Sequence, residues 1–248
     1  MRLIFVRHGE PDYINDCLTE NGVIQAKSTA ERLKGESISS VYSSPMGRAV
    51  ETASFTAKEH NLKINVLDFM HEIDWGDLPD NDGFSSRSDD GKNDLSLKEK
   101  LPFDGHLWTL AYKLLTENPE FVANPDWKKH HYFKDNVSMK YYEMISEKFD
   151  LFLENFGLIR KNGLYYVSEK NDDTIALFAH GGSGAIMFSH VLSLPFPYVL
   201  VNMPYGVCSI SILNFDSEPG KMCIPRLELF NDMGHIESFK AEKLHFEK

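Results

Sequence analysis

The chain has 248 residues, with 26 Lys and Arg against 37 Asp and Glu, a formal net charge of −11 and 42% hydrophobic residues. That balance excludes low-hydrophobicity disorder. It also argues against binding to nucleic acid or to an anionic membrane surface, both of which need clustered positive charge. The three cysteines, Cys17, Cys208 and Cys223, are too few and too scattered for a disulfide scaffold.

Arg2 to Val6 is a short apolar, β-rich run that stops at Arg7 and His8, and it reads as a buried strand. It is too short for a secretory signal and no stretch reaches transmembrane length, so the expected setting is a reducing cytoplasm with free thiols. Residues 7–18 read as a polar loop. Thr19 is the expected N-cap of a helix whose apolar positions Val23, Ala26, Ala30 and Leu33 recur at helical spacing, with Gly35 as the stop. Ser40 to Tyr42 reads as a strand. Ser43-Ser44-Pro45 breaks it and opens a helix to about Lys58, with the proline in its first turn. Lys63 to Leu67 alternates like a strand.

The character changes at residues 74–94, where seven aspartates sit among Gly, Ser and Asn, opposed by Arg87 and Lys92. This reads as a solvated acidic loop, within an insertion or lid spanning 77–137 of a single domain covering 1–248. Pro102, Pro119 and Pro125 predict short helices through 96–133. Residues 137–157 read as a longer helix with Tyr141, Ile145, Phe149, Phe152 and Phe156 on one stripe. Gly163 to Val167 reads as a strand, and Thr174 to Ala179 as a fully buried one. His180-Gly181-Gly182-Ser183 then opens a helix to about Leu192. Val207 to Leu213 and Cys223 to Leu229 read as two final strands, and the tail from Gly234 as peripheral.

Strands alternate with helices, which implies an α/β sandwich around a mostly parallel sheet. Ligands of such sheets bind beyond the carboxyl ends of the strands. Arg7-His8 follows one strand, Ser44-Pro45 with Arg48 follows a second, and His180 follows a third. The pattern therefore predicts that these separate segments meet at one sheet edge.

The residue types suit that meeting. A neutral imidazole at a rigid strand end is a good nucleophile, and a following glycine permits close approach. Read alone, Arg7-His8-Gly9 fits an ion-paired strand end as well as a reactive one, and Arg48 reads as a solvated helix residue or a surface ion pair. Together with three further segments they resemble the histidine phosphatase superfamily, which includes cofactor-dependent phosphoglycerate mutases. The similar segments are Arg7-His8-Gly9; Leu18-Thr19-Glu20-Asn21-Gly22 with Gln25-Ala26; Tyr42-Ser43-Ser44-Pro45 with Arg48-Ala49 and Thr52-Ala53; and Ala179-His180-Gly181-Gly182.

The resemblance implies a phosphoglycerate mutase-like fold, a three-layer α/β/α sandwich around a mostly parallel mixed sheet with a helical and loop insertion. It implies His8 as the nucleophile that accepts a phosphoryl group, with its other ring nitrogen held by backbone or by Glu10. Arg7 and Arg48 would clamp the phosphoryl oxygens. His180 would stabilise the transition state, and Gly181 with Gly182 would offer backbone amides at a helix N-terminus to the anion. Glu72, in His71-Glu72-Ile73-Asp74-Trp75-Gly76, matches the position of the proton donor, with Asp74 as the fallback. A carboxyl beside bound phosphate is expected to hold its proton to higher pH.

Two positions depart from the family pattern. The family's asparagine after the nucleophile falls on Ile14, which leaves Asn15, one place on, as a candidate substrate contact. After Gly76 comes Asp77-Leu78-Pro79-Asp80 in place of an aromatic-acid-glycine run. His130-His131 completes no metal-ligand spacing, the Asp-rich stretch lacks EF-hand spacing, and the cysteines read as buried thiols.

The expectation is a metal-independent phosphomonoesterase that acts on a small phosphorylated metabolite through a phosphohistidine. Its partners are that substrate and inorganic phosphate, with no nucleic acid, no membrane and no cofactor. The alternatives are a 2,3-bisphosphoglycerate-dependent phosphoglycerate mutase and a non-catalytic binding protein on the same fold. A mutase should add Lys or Arg around its bisphosphate, whereas residues 73–94 are acidic. The sequence says nothing of oligomeric state.

Overall fold

The structure, a computed structural model, describes residues 1–76, 106–204, 206–216 and 218–236. The acidic stretch from Asp77 to Asp94, Pro102 and the tail beyond Ile236 lie outside the described residues. Strand β1 (Arg2–Arg7) pairs in parallel with β8 (Thr174–Ala179), and β8 pairs in parallel with β4 (Ile38–Ser43), which carries β5 (Ile64–Val66) on its outer edge. On the other side β1 pairs antiparallel with β9 (Ile210–Asn214), and β9 with β11 (Arg226–Asp232). The six-stranded sheet runs β11-β9-β1-β8-β4-β5.

The alternation of side chains explains the layers. Leu3 and Phe5 of β1, with Ile175 and Leu177 of β8, face one core. Packed on that face are α3 (Leu107–Glu117), α4 (Ser138–Glu154), α5 (Gly181–Leu192) and α6 (Phe196–Asn202). Ile4, Val6, Ala176 and Phe178 face the opposite core, covered by Leu33 of α1 (Glu20–Leu33) and by Ala53 and Ala57 of α2 (Gly47–Glu59). Every residue of β8 is buried, as a central parallel strand with helices on both faces requires. A second sheet joins β6 (Leu158–Lys161), β7 (Leu164–Val167) and β10 (Met222–Cys223), and β2 (Pro11–Asp12) pairs with β3 (Cys17–Leu18) inside the first loop.

Thr19 caps α1 as expected, its side chain accepting from the Gly22 N–H. Three local readings are corrected. Pro45 lies before the N-cap Met46 of α2 rather than in its first turn. The expected strand from Cys223 to Leu229 is broken at Pro225, which cannot donate to a ladder. Cys223 ends β10 of the small sheet, and Arg226 begins β11 of the large one. Cys17 is half-buried, while Cys208 and Cys223 are buried, and all three are free thiols. Among the described residues no helix is long and apolar enough to cross a membrane.

Register levels three strand ends. Arg7 lies opposite Ala179, and Ser43 opposite Phe178. The ladder continues one step further, with His8 N–H donating to Ala179 O at 3.0 Å and Ser44 N–H to Phe178 O at 2.9 Å. His8, Ser44 and His180 therefore leave the sheet side by side.

Candidate active site

His8 is fully buried, and its Nδ1 lies 2.7 Å from its own neighbour's carbonyl, Gly9 O. A carbonyl only accepts, so Nδ1 carries the proton and Nε2 of the neutral ring bears the lone pair. Nε2 is buried with no hydrogen-bond partner among the described residues. Burial first, then the positive charges of Arg7 and Arg48, hold the His8 pKa well below its ordinary value. The ring is therefore neutral near pH 7. Of the two expected holders of Nδ1, the backbone does the work. The Glu10 carboxylate instead accepts from Thr19 Oγ1 and Asn21 Nδ2, both at 2.7 Å, and ties the loop to α1. Gly9 also serves differently from expectation, since a Cβ there would lie 2.8 Å from Gly22 O. Its lack of a side chain lets the loop pack against the start of α1.

His180 is the N-cap of α5 but makes no side-chain cap bond. Its Nε2 lies 2.7 Å from Ser44 Oγ, and its ring centroid is 5.0 Å from that of His8. Burial again leads the depression of its pKa, and the positive charges of Arg48 and Arg7 add to it. Arg48 sits in the first turn of α2 with its side chain wholly buried. Its Nη1 donates to Asp16 Oδ1 at 2.7 Å, its Nη2 to Met46 Sδ at 3.4 Å, and its guanidinium lies 5.4 Å from the centre of the Tyr13 ring. Arg7 brings its guanidinium to 3.6 Å from where a Cβ of Gly181 would be, and the Trp75 ring edge lies equally close to that point.

Glu72 is nearly buried, and its Oε1 accepts from three backbone N–H groups: Ile73 at 3.0 Å, Gly182 at 2.9 Å and Ser183 at 3.1 Å. The expected anion seat at the start of α5 is therefore taken by a protein carboxylate, and the Gly182 and Ser183 amides hold Glu72 rather than substrate. Ser183 Oγ donates to Met70 O at 3.0 Å, which fixes the approach of this segment. A side chain at Gly182 would overlap Ile73 and come within 2.6 Å of Glu72 Oε1.

The fold thus gathers Arg7, His8, Arg48, Glu72, His180 and Gly181 at the ends of β1, β4 and β8. It does not bring Asn15 among them. That side chain is exposed and donates to Asp12 Oδ2 at 2.8 Å. Asp74 accepts from Gly76 N–H at 2.9 Å, and His71 points its Nδ1 at Glu72 O, 2.9 Å away. Sequence reasoning gave no role to Asp16 or Ser44, which contact Arg48 and His180 directly. Ser44 lay in a recognised motif, whereas nothing in the pattern distinguished Asp16 from other loop aspartates. Among the described residues no group of three or more His, Cys, Asp or Glu is placed to hold a metal ion. A buried neutral imidazole with an available lone pair, two guanidinium groups and an oriented carboxyl can together bind a phosphoryl group and transfer it.

Known proteins resemble the chain in part by sequence and more widely by fold. Residues 3–93 match the family described as the histidine phosphatase superfamily (branch 1). Similar proteins include a 2,3-bisphosphoglycerate-dependent phosphoglycerate mutase of Thermoplasma acidophilum, 37% identical over 83 residues, covering 29% of this chain and 42% of that one. A phosphoserine phosphatase 1 of Hydrogenobacter thermophilus is 35% identical over 85 residues, covering 31% of this chain and 40% of that one. The matched segments thus span less than half the length of these relatives. The fold match is broader. A phosphoserine phosphatase mutant from Entamoeba histolytica in complex with phosphoserine has a TM-score of 0.60 at 19% identity, covering 95% of this chain and 98% of that one. A mycobacterial glucosyl-3-phosphoglycerate phosphatase has a TM-score of 0.57 at 20% identity, covering 93% and 98%. The N-terminal third of the chain thus resembles the histidine phosphatase superfamily in sequence, and nearly the whole chain shares the fold of these phosphatases.

Proposed function

We propose that the protein is a metal-independent phosphomonoesterase of small phosphorylated metabolites that works through a phosphohistidine at His8. The observation that carries this reading is the state of His8: buried, neutral, with Nδ1–H fixed on Gly9 O and Nε2 without a partner among the described residues. In the first step the Nε2 lone pair attacks phosphorus, the ester P–O bond breaks, and Glu72 gives its proton to the departing oxygen. In the second step Glu72 takes a proton from water, the water oxygen attacks phosphorus, the P–N bond breaks, and phosphate leaves with His8 neutral again. Arg7, Arg48 and His180 hold the equatorial oxygens as charge spreads over them. Because Glu72 Oε1 already accepts three backbone N–H groups, this reading puts the travelling proton on Oε2.

Hydrolysis is favoured over mutase turnover because, among the described residues, Arg7 and Arg48 are the guanidinium cations whose charge acts on both His8 and His180. That pair matches one phosphoryl group, and a bisphosphate would need more. The test is turnover of para-nitrophenyl phosphate in excess chelator, set against 3-phosphoglycerate with catalytic 2,3-bisphosphoglycerate. Chelator-resistant hydrolysis, with a trapped phosphoenzyme that is lost in His8→Ala, is the expected result. Faster mutase turnover would replace this reading, and silence toward a range of phosphate esters would leave a binding protein.

A further inference from the structure

Asp16 and Arg48 form an unequal pair. The arginine side chain is wholly buried, while the aspartate is 38% exposed. The two carboxylate oxygens of Asp16 divide their work. Oδ1 accepts from Arg48 Nη1 at 2.7 Å, and Oδ2 accepts from Gly47 N–H, the first residue of α2, at 2.6 Å. Asp16 adopts a left-handed backbone (φ 48°), which Asp tolerates better than most residues. The carboxylate is thus anchored to the helix that carries Arg48 and grips one end of its guanidinium.

That grip decides which edge of the guanidinium remains. Nη1 is engaged by Asp16, and among the described residues Nη2 has only the weak thioether acceptor Met46 Sδ. Arg48 Nε is buried and has no hydrogen-bond partner among the described residues. A buried guanidinium N–H left unpaired is costly, and an anion at this edge would satisfy it. From this geometry we infer that Asp16 is a positioning residue for Arg48, holding Nη1 so that the Nε–Nη2 edge meets the phosphoryl oxygens side-on. The inference rests on the phosphoryl site assigned to His8 above, and it adds a residue that acts through Arg48 without touching substrate.

A simpler role makes the opposite forecast. If Asp16 contributed only negative charge near an anion site, removing the charge would tighten phosphate binding. If it only capped α2, its loss would act the same whether or not Arg48 were present. Asparagine separates these roles, because it offers one carbonyl oxygen where the site uses two acceptors. Calorimetric titration of the full chain with inorganic phosphate is the measurement. Asp16→Asn is expected to weaken phosphate binding by about tenfold or more, the loss of one charge-assisted hydrogen bond. The same substitution in an Arg48→Met background is expected to change affinity less than about twofold, because the partner is gone. Should Arg48→Met fail to fold, Arg48→Lys serves, since lysine has no Nε edge to orient.

Unchanged or tighter phosphate binding in Asp16→Asn overturns the proposal, and so does an equal loss in both backgrounds. Absence of phosphate binding by the wild-type chain overturns the site itself, and this proposal with it. A chain that binds phosphate but traps no phosphohistidine refutes only the catalytic reading, and the Asp16 comparison is still decided by binding.

Discussion

His8 and His180 show how burial sets the chemistry of a single side chain. Both rings have pKa values well below the ordinary 6.5, with desolvation as the leading cause. The sign of the consequence follows from linkage. Below about pH 6.5 the unfolded chain takes up protons on these rings that the folded chain refuses. Stability that is present above that pH is therefore lost as pH falls toward the depressed folded values. The melting temperature should drop between pH 7.5 and 5.5, and His8→Gln should flatten that drop. Melts of both proteins across that interval check it, and parallel curves would refute the assignment. The sequence made these rings legible as residues, through a strand end before each. It did not show how each tautomer is set, because Gly9 O and Ser44 Oγ reach the rings only in the folded backbone.

At the scale of elements, the start of α5 is a fitted joint. Gly182 leaves the space that Glu72 and Ile73 fill, and its N–H is one of the three that grip Glu72. A Gly182→Ala methyl must push the carboxyl away. The expected outcome is a kinetic copy of Glu72→Gln: slowing of about 10²-fold or more for alkyl phosphates, which need the proton, and much less for para-nitrophenyl phosphate. Overpacking adds a stability loss of about 1–3 kcal/mol. Steady-state rates on the two ester classes check this, and uniform slowing would count against the role of Glu72. The elements that the sequence revealed were those with one strong signal, such as the Thr19 cap or the apolar run of β8. Strand β6, Leu158–Lys161, has little alternation and went unread. Helix α6 was hidden because Pro195 and Pro197 flank its first residue, where they are tolerated in a first turn.

Over the whole molecule, the decisive fact is where β8 lies. It is inserted between β1 and β4, although it follows them in the chain by well over a hundred residues. The segment 1–76 carries Arg7, His8, Arg48 and Glu72, yet the strands beneath them are not neighbours without β8. A chain cut after Gly76 should therefore have no fixed tertiary structure, which amide dispersion in an NMR spectrum would show. A well-dispersed spectrum would contradict this account of how the site is assembled. The same fact limits what a sequence can disclose. Convergence of the motifs followed from the rule about strand ends, but the strand order came from pairing between distant segments, and loop residues such as Asp16 found their partners only once that order was set.

The bond between the His8 ring and the carbonyl beside it also fixes regiochemistry. Only the tele nitrogen can be phosphorylated while the pros nitrogen keeps its proton. If His8 is the nucleophile as proposed, the covalent intermediate would be the 3-phosphohistidine isomer, acid-labile and alkali-stable, and isomer-selective antibodies would recognise it as such.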